Sequence, residues 1–132
     1  MGTGYGSAVA LATLLRGFEV RSAKVAGVRT RWYVAGEGDP LVVVHGLGGA
    51  AVNFTELGPL LARRRRVLIP DLPGHGGTSP LERVDGLGSY AEHVAAVAGA
   101  EGMLPAAVLG YSMGGVVALR LAVARSAEVR AL

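Results

Sequence analysis

Residues 110–114 have the sequence GYSMG, which fits the pattern G-x-S-x-G and decides how the rest of the chain is interpreted. A short apolar run at 105–109 precedes the motif, and a long apolar segment at 116–123 follows it. This order predicts a strand, a sharp turn and a helix, in which the serine is held in a strained backbone conformation with its hydroxyl exposed. The alternative is a glycine-rich connection in which Ser112 is an ordinary turn residue.

Two further segments place a buried strand directly before a glycine-rich loop. Residues 41–44 (LVVV) precede HGLGG at 45–49, and residues 67–69 (VLI) precede PDLPGHG at 70–76. The first of these strands has no polar alternation, so both of its faces should be buried, as in a parallel sheet covered by helices. Alternation of such strands with helical segments predicts an α/β fold, a three-layer sandwich with a mostly parallel sheet flanked by helices.

The remaining strands follow from alternation and from β-forming residues. They are expected at residues 19–25, 29–34, 66–69 and 106–109, with the first residues of a sixth strand at 128–132. A turn at Ala26-Gly27 should join the first two strands as a hairpin at the edge of the sheet.

Capping patterns predict where the helices begin. The expected pairs are Asn53 with Glu56 and Ser89 with Glu92, opening helices at 53–62 and 89–102. A third helix should follow Ser112 and end near Arg125.

Residues 1–18 are expected to form a helical extension. An apolar run at 8–15 favours a short helix, with Ser7 as its N-cap and Gly17 at its end. The run comes before the first basic residue, so it lacks the charged start of a secretory signal peptide. We therefore expect a leaderless, cytoplasmic protein.

The composition excludes several classes of protein and site. The chain has 132 residues, 51% of them hydrophobic, and is one globular domain or part of one. No apolar run approaches the roughly 18 residues of a membrane span, so none is expected. The absence of cysteine excludes disulfides, thiolate metal sites and a cysteine nucleophile. The three histidines and the aspartates show no metal-ligand spacing, and no metal site is expected.

The net charge of +3 owes much to four consecutive arginines at 63–66. Such a run can indicate a patch that binds nucleic acid. The run lies where a helix should end and a strand begin, however, and arginines there complement the dipole at a helix C-terminus. No aromatic residues are interleaved with it, so we expect no nucleic-acid partner.

In order and approximate spacing, the motifs HGLGG, PDLPGHG and GYSMGG resemble those of the α/β-hydrolase family, and the likeness runs from about Gly27 to the last residue. The resemblance implies that residues 19–132 are the N-terminal half of an α/β-hydrolase domain, truncated after the helix that follows the nucleophile elbow. It implies Ser112 as the nucleophile. The other implied site residues are Leu47 and Met113, whose backbone N–H groups form the oxyanion hole, and His45, Gly46, Gly110 and Gly114, which support the loop and the elbow.

The resemblance further implies a serine hydrolase that acts on an ester or related acyl bond of a small-molecule substrate, without a cofactor. The family's triad follows the order Ser, acid, His. Residues 113–132 contain no Asp or His and only one acid, Glu128, so the triad acid and base are expected beyond Leu132.

The histidines and aspartates that are present are expected to have other roles. His45 and His75 should shape their loops, and His93 should lie on a solvated helix face. Asp71 is interpreted as a loop anchor and Asp85 as a turn residue.

Several alternatives stay open. Serine at the elbow argues against the family's dehalogenases and epoxide hydrolases, which place Asp there. It leaves carboxylesterases, lipases, thioesterases, carbon–carbon bond hydrolases, cofactor-independent haloperoxidases and a lyase of menaquinone biosynthesis. A non-catalytic, truncated or ligand-binding domain is a second hypothesis, and a small domain that binds an anion at the elbow is the weakest. The substrate and the oligomeric state are not predicted.

Overall fold

Six strands form one sheet in the computed structural model, which describes residues 15–132. They are β1 (Glu19–Val25), β2 (Val28–Ala35), β3 (Pro40–Val44), β4 (Arg66–Pro70), β5 (Ala106–Gly110) and β6 (Val129–Ala131). Their order across the sheet is β1-β2-β4-β3-β5-β6, with β2 antiparallel to both of its neighbours and every other pair parallel. The predicted edge hairpin and the mostly parallel sheet are both confirmed.

Helices cover both faces of the sheet. They are α1 (Leu57–Leu61), α2 (Leu87–Ala100) and α3 (Met113–Ala124), with short 3-10 helices at Ala51–Phe54 and Ser126–Glu128. Along β3, Val42 and Val44 pack into the core beneath α2 and α3, whereas Leu41 and Val43 pack into the core on the opposite face. The lack of polar alternation in β3 therefore reflects burial on both sides, as predicted.

The helix predicted at 53–62 is replaced by two shorter elements. A 3-10 helix covers Ala51–Phe54, and α1 begins only at Leu57. A continuous helix would bring the ring of Pro59 against the carbonyl of Thr55. Starting at Leu57 places Pro59 in the first turn, where its missing N–H has no helical partner to lose. Glu56 is therefore not a capping-box partner, and that prediction was wrong.

The start of α2 also differs from the prediction, whereas its end agrees. The helix begins at Leu87, after Gly86 with φ of 83°. The hydroxyl of Ser89 accepts a hydrogen bond from the N–H of Asp85 (3.0 Å), and Glu92 forms an ion pair with Arg125 (2.8 Å), so the two do not form a capping box. An apolar side chain at Leu87 packs against the core and extends the helix by two residues.

The predicted N-terminal helix at 8–15 lies, but for its last residue, outside the described residues. Leu15 itself is fully buried with Phe18 in the core beneath α1. The division into a helical extension (1–18) and an α/β domain (19–132) stays a prediction. Between residues 15 and 132, no helix is long and apolar enough to cross a membrane.

Candidate active site

Ser112 occupies a sharp turn between β5 and α3. Its backbone has φ of 56° and ψ of −123°, a conformation that residues with a side chain rarely adopt. The turn is closed by hydrogen bonds from the N–H of Gly114 to the carbonyl of Tyr111 and from the N–H of Gly115 to that of Ser112, both 2.9 Å. Tyr111 and Ser112 are exposed. The strained turn and exposed serine that the motif predicted are both present.

Two glycines let the strand and the helix meet at this turn. A Cβ atom at Gly110 would overlap the backbone of Gly114, and a Cβ atom at Gly114 would overlap the carbonyl of Val44 in β3. The helix α3 therefore rests directly on the ends of two neighbouring parallel strands. The position of Ser112 is set by these backbone contacts.

The loop after β3 reaches the same edge of the sheet. The N–H of Tyr111 donates to the carbonyl of Val44 (3.0 Å), which holds the ends of β5 and β3 together. A Cβ atom at Gly46 would lie 3.2 Å from the Cβ and 3.6 Å from the Oγ of Ser112. The segment 46–50, here called the β3 loop, therefore begins in contact with the serine side chain, at the carboxyl edge where α/β proteins bind ligands.

A second loop, residues 71–80 after β4, holds the β3 loop and its flanks in place. Three side-chain acceptors receive backbone N–H groups across the two segments. The pairs are Leu72 N–H to His45 Nε2 (3.0 Å), Gly48 N–H to His75 Nε2 (3.0 Å) and Ala51 N–H to Asp71 Oδ1 (2.8 Å). The two loops are therefore one hydrogen-bonded unit.

The hydrogen bonds of His45 and His75 define their tautomers. Because Nε2 of each ring accepts a backbone N–H, the proton of each neutral ring lies on Nδ1. That N–H donates to the carbonyl of Gly46 from His45 (2.8 Å) and to the carbonyl of Pro73 from His75 (3.0 Å). Burial lowers the pKa of His45, which is only 1% exposed. The predicted loop-shaping roles fit both contacts.

Asp71 anchors the loop after β4, in agreement with its predicted role. Its carboxylate has no exposed surface and accepts hydrogen bonds from Arg31 Nε (2.8 Å) and from the N–H of Gly77 (3.0 Å), besides that of Ala51. Gly76 passes so close to this carboxylate that a Cβ atom there would overlap it. The charge is thus neutralised by Arg31 and enclosed by its own loop.

His93 does not lie on a solvated face, and that prediction was wrong. The ring is 4% exposed, and its Nε2 lies 3.0 Å from the hydroxyl of Thr30 on β2. That hydroxyl donates to the carbonyl of Val28 (2.8 Å), so His93 is the donor in the pair. The helix α2 packs against both the sheet and α3, which buries more of its circumference than one apolar stripe. The sequence signal was the unbroken apolar run VAAVA at 94–98.

A cleft of about 650 Å³ lies beside Ser112. Its walls are the β3 loop, the segment 53–57 and Tyr111. The side chain of Leu47 is 78% exposed and that of Tyr111 is 68% exposed, so apolar groups face this opening. Residues 53–57 were predicted as part of a helix, with no part in the site. No local motif marks such a wall, since it is built from separate segments.

Leu47 and Met113, the predicted oxyanion donors, lie in the two segments that flank Ser112. Leu47 follows Gly46 in the β3 loop, and Met113 is the first residue of α3. An N–H group in the first turn of a helix has no partner within that helix, and the helix dipole favours negative charge there. Within residues 15–132, no group of three or more His, Cys, Asp or Glu side chains is placed to hold a metal ion.

Known proteins match this arrangement in sequence and in structure. A family model described as alpha/beta hydrolase fold matches residues 39–132. The chain is 40% identical over 104 residues to the dihydrolipoyllysine-residue acetyltransferase component of the acetoin cleaving system of Pseudomonas putida, covering 77% of this chain and 28% of that protein. It is 37% identical over 97 residues to the pimeloyl-[acyl-carrier protein] methyl ester esterase of Chromobacterium violaceum, covering 74% of this chain and 36% of that protein.

A crystal structure of a membrane phospholipase A, a bacterial virulence factor, superimposes with a TM-score of 0.84 at 28% identity. The match covers 95% of this chain and 41% of the phospholipase chain. The chain thus spans well under half the length of these proteins.

Proposed function

The chain belongs to the alpha/beta hydrolase fold family, and from this premise we propose that it is the part of a serine hydrolase that carries the nucleophile and the oxyanion hole. Ser112 is the nucleophile, and the bond cleaved is an ester or a related acyl bond. One observation supports this most directly. Ser112 is exposed and has φ of 56°, on a turn that requires glycine at positions 110 and 114. Its side chain adjoins Gly46 at the edge of a cleft.

In the proposed reaction, Oγ of Ser112 attacks the carbonyl carbon of the substrate. The carbonyl oxygen becomes an oxyanion, which needs hydrogen-bond donors already in position. The N–H groups of Met113 and Leu47 are the proposed donors. The N–H of Met113 lies at the positive end of the α3 dipole. The N–H of Leu47 lies in the β3 loop, which is held to the loop after β4 by the hydrogen bonds of His45 and His75 and by the adjoining contact between Asp71 and Ala51.

A serine hydroxyl needs a base to take its proton. Each of the three histidines is hydrogen-bonded elsewhere. His45 joins Gly46 to Leu72, His75 joins Pro73 to Gly48, and His93 is buried against Thr30. The proposal therefore places the triad histidine and acid outside these 132 residues.

The proposed substrate is a small molecule with an acyl group. The cleft beside Ser112, about 650 Å³, is in the range of small-molecule sites. Exposed apolar side chains at Leu47 and Tyr111 would contact an acyl or alcohol group. The esterase relative acts on a methyl ester, which supports ester chemistry without naming the ester cleaved here.

The second candidate function is ligand binding without catalysis. The observation that favours it is the same engagement of all three histidines, which leaves Ser112 without a base from this chain. A hydrolase-like binding domain would keep the cleft and the loop network and lack turnover.

Hydrolysis of a p-nitrophenyl ester separates the two candidates. The protein is assayed as the 132 residues and again with any coding sequence that follows Leu132. We expect turnover only in the longer form, abolished by Ser112→Ala and retained by Ser126→Ala, a matched change at an exposed serine far along the chain. A stop codon directly after Leu132, or no turnover by the longer form, would favour the binding domain. Ser112-dependent turnover by the 132 residues alone would overturn the placement of the base.

A further inference from the structure

The hydrogen bond from the N–H of Gly48 to Nε2 of His75, 3.0 Å long, joins the tip of the β3 loop to the loop after β4. Gly48 directly follows Leu47, whose N–H is the proposed oxyanion donor. Gly48 is exposed and has φ of 73°. The other two contacts between the loops involve His45 and Ala51, at the ends of the β3 loop. The contact with His75 is therefore the hydrogen bond from the other loop that reaches the middle of the β3 loop, which is also closed internally by the N–H of Gly49 on the carbonyl of Gly46 (3.1 Å).

This contact requires a neutral imidazole. A neutral ring has one nitrogen that donates and one that accepts. In His75 the Nδ1–H donates to the carbonyl of Pro73 (3.0 Å), which leaves the lone pair of Nε2 for Gly48. A protonated ring has two donors and no acceptor. Its Nε2–H would then face the N–H of Gly48, and the contact would change from attractive to repulsive.

The neighbouring ring of His45 disfavours protonation. It lies beside the ring of His75, with ring centroids 5.2 Å apart. His45 is buried, which lowers its pKa, and the adjoining imidazole lowers it further. His75 is only partly buried. Beyond His45 lies the carboxylate of Asp71, which is already paired with Arg31. Burial therefore keeps His45 neutral at pH values where an imidazole of ordinary pKa is charged.

We propose that His75 is a positioning residue that holds the β3 loop only while its imidazole is neutral, so that uptake of one proton releases Gly48 and the neighbouring oxyanion donor. The effect on catalysis rests on the proposed function, because it requires Leu47 to be that donor. The effect on the loop does not. In a working enzyme the release would lower kcat in acid more than it raises KM.

Nuclear magnetic resonance of the isotopically labelled chain tests the loop directly, without any reaction at Ser112. The backbone amide of Gly48 and the ring nitrogens of His45 and His75 are followed from pH 8 to pH 5. We expect Nε2 of His75 to be the unprotonated nitrogen at pH 8, and the Gly48 amide to shift with the same midpoint as the His75 ring. A Gly48 amide that does not shift, or that follows His45 instead, would overturn the proposal.

Two substitutions form a matched pair. The amide oxygen of His75→Gln can occupy the place of Nε2, so it can accept the Gly48 N–H but does not titrate. The shorter side chain of His75→Asn reaches only the place of Nδ1. We expect the Gly48 titration to vanish in both, with the pH 8 position of the Gly48 amide retained in Gln and lost in Asn. Persistence of the titration in His75→Gln would contradict the assignment, and the wild-type titration decides even if a variant does not fold.

The functional test measures the rate at which Ser112 reacts with a fluorophosphonate, in the longest form of the protein that reacts. The triad histidine proposed to lie outside these residues gives an acid limb of its own. The wild-type rate should therefore fall in acid more steeply than one proton allows, and His75→Gln should reduce the slope to that of one proton. If Gly48 follows His75 but Ser112 never reacts, the hydrolase proposal fails and the loop switch stands. If Ser112 reacts with the same acid limb in both proteins, the switch has no catalytic role and this inference fails alone.

Discussion

The backbone N–H of Ala51 donates a 2.8 Å hydrogen bond to Oδ1 of Asp71, a carboxylate with no exposed surface. This contact anchors the end of the β3 loop, which carries the proposed oxyanion donor, to the buried carboxylate of the loop after β4. Arg31 neutralises that charge from β2, at 2.8 Å. Three separate parts of the chain therefore meet at one carboxylate.

Replacing that carboxylate should destabilise the protein strongly. In Asp71→Asn, Arg31 loses its partner, and the new amide NH₂ faces groups that are themselves donors. Breaking a buried ion pair from one side costs roughly 3–5 kcal/mol. We expect the lower end, because the Arg31 side chain is 17% exposed. Urea denaturation measures the loss. The matched change Asp85→Asn, at an exposed residue before α2, should leave the midpoint unchanged. Equal midpoints for both variants would contradict the anchor role.

Alanine at two helical glycines should act in opposite directions. Gly114→Ala places a methyl group onto the carbonyl of Val44, and overpacking of this kind costs roughly 1–3 kcal/mol or more. Gly99 lies in α2 with nothing near its missing Cβ, so Gly99→Ala should stabilise the helix by roughly 0.5–1 kcal/mol. Thermal melts of both variants check the pair. A destabilised Gly99→Ala together with a neutral Gly114→Ala would show that the packing at the turn is misassigned.

Removing the side chain of Ser112 should make the protein more stable. A residue with a side chain at φ of 56° and ψ of −123° carries roughly 1–3 kcal/mol of strain, which glycine does not. Ser112→Gly should therefore melt higher than Ser112→Ala, in which the backbone stays strained. Both variants lack the hydroxyl, so neither should react with an ester. Equal melting temperatures would mean that the turn is relaxed in solution.

The buried ring of His93 should make stability fall in acid. Burial lowers its pKa from the ordinary value of 6.5, so below that pH the unfolded chain binds a proton that the folded chain excludes. Stability is then complete above about pH 6.5 and declines as the pH falls toward the folded-state pKa, by at most about 1.4 kcal/mol per pH unit for one proton.

His45 is shifted in the same direction, so the two contributions must be separated. His93→Gln keeps a donor for the Thr30 hydroxyl and does not titrate. The difference in unfolding free energy between wild type and this variant, measured from pH 8 to pH 5, isolates His93. A difference that does not vary with pH would show that His93 is not buried as described.

The sheet and the serine turn were predictable because each is encoded locally. The apolar run at 41–44 indicates a strand buried on both faces, because only apolar side chains tolerate that burial. The glycines around Ser112 indicate a close backbone approach, because no other residue type tolerates the contact at Gly114. The end of α2 was likewise marked by Gly102, which has φ of 67°.

Two kinds of feature were missed, namely the effect of one residue within a predicted helix and contacts between distant parts of the chain. Pro59 broke the helix predicted from Asn53, because its ring acts on a carbonyl four residues earlier. His93 gave no periodic signal in a helix rich in alanine, where small residues let two neighbours pack closely. The bonds from His45, His75 and Asp71 join segments that only the folded sheet brings together.

Gly110 and Gly114 allow the close backbone contacts with α3 and β3 that fix the serine turn. The side chains that line the cleft are therefore not needed to hold the turn in place. The exposed side chains of Leu47, Tyr111 and Leu57 can then change while the reacting geometry stays the same, whereas Phe54 is buried in the core and Asn53 holds Ala50. This separation allows natural variation to change the preferred acyl group by small steps, each of which retains a working serine. Libraries that randomise only those wall positions should contain a high fraction of folded members.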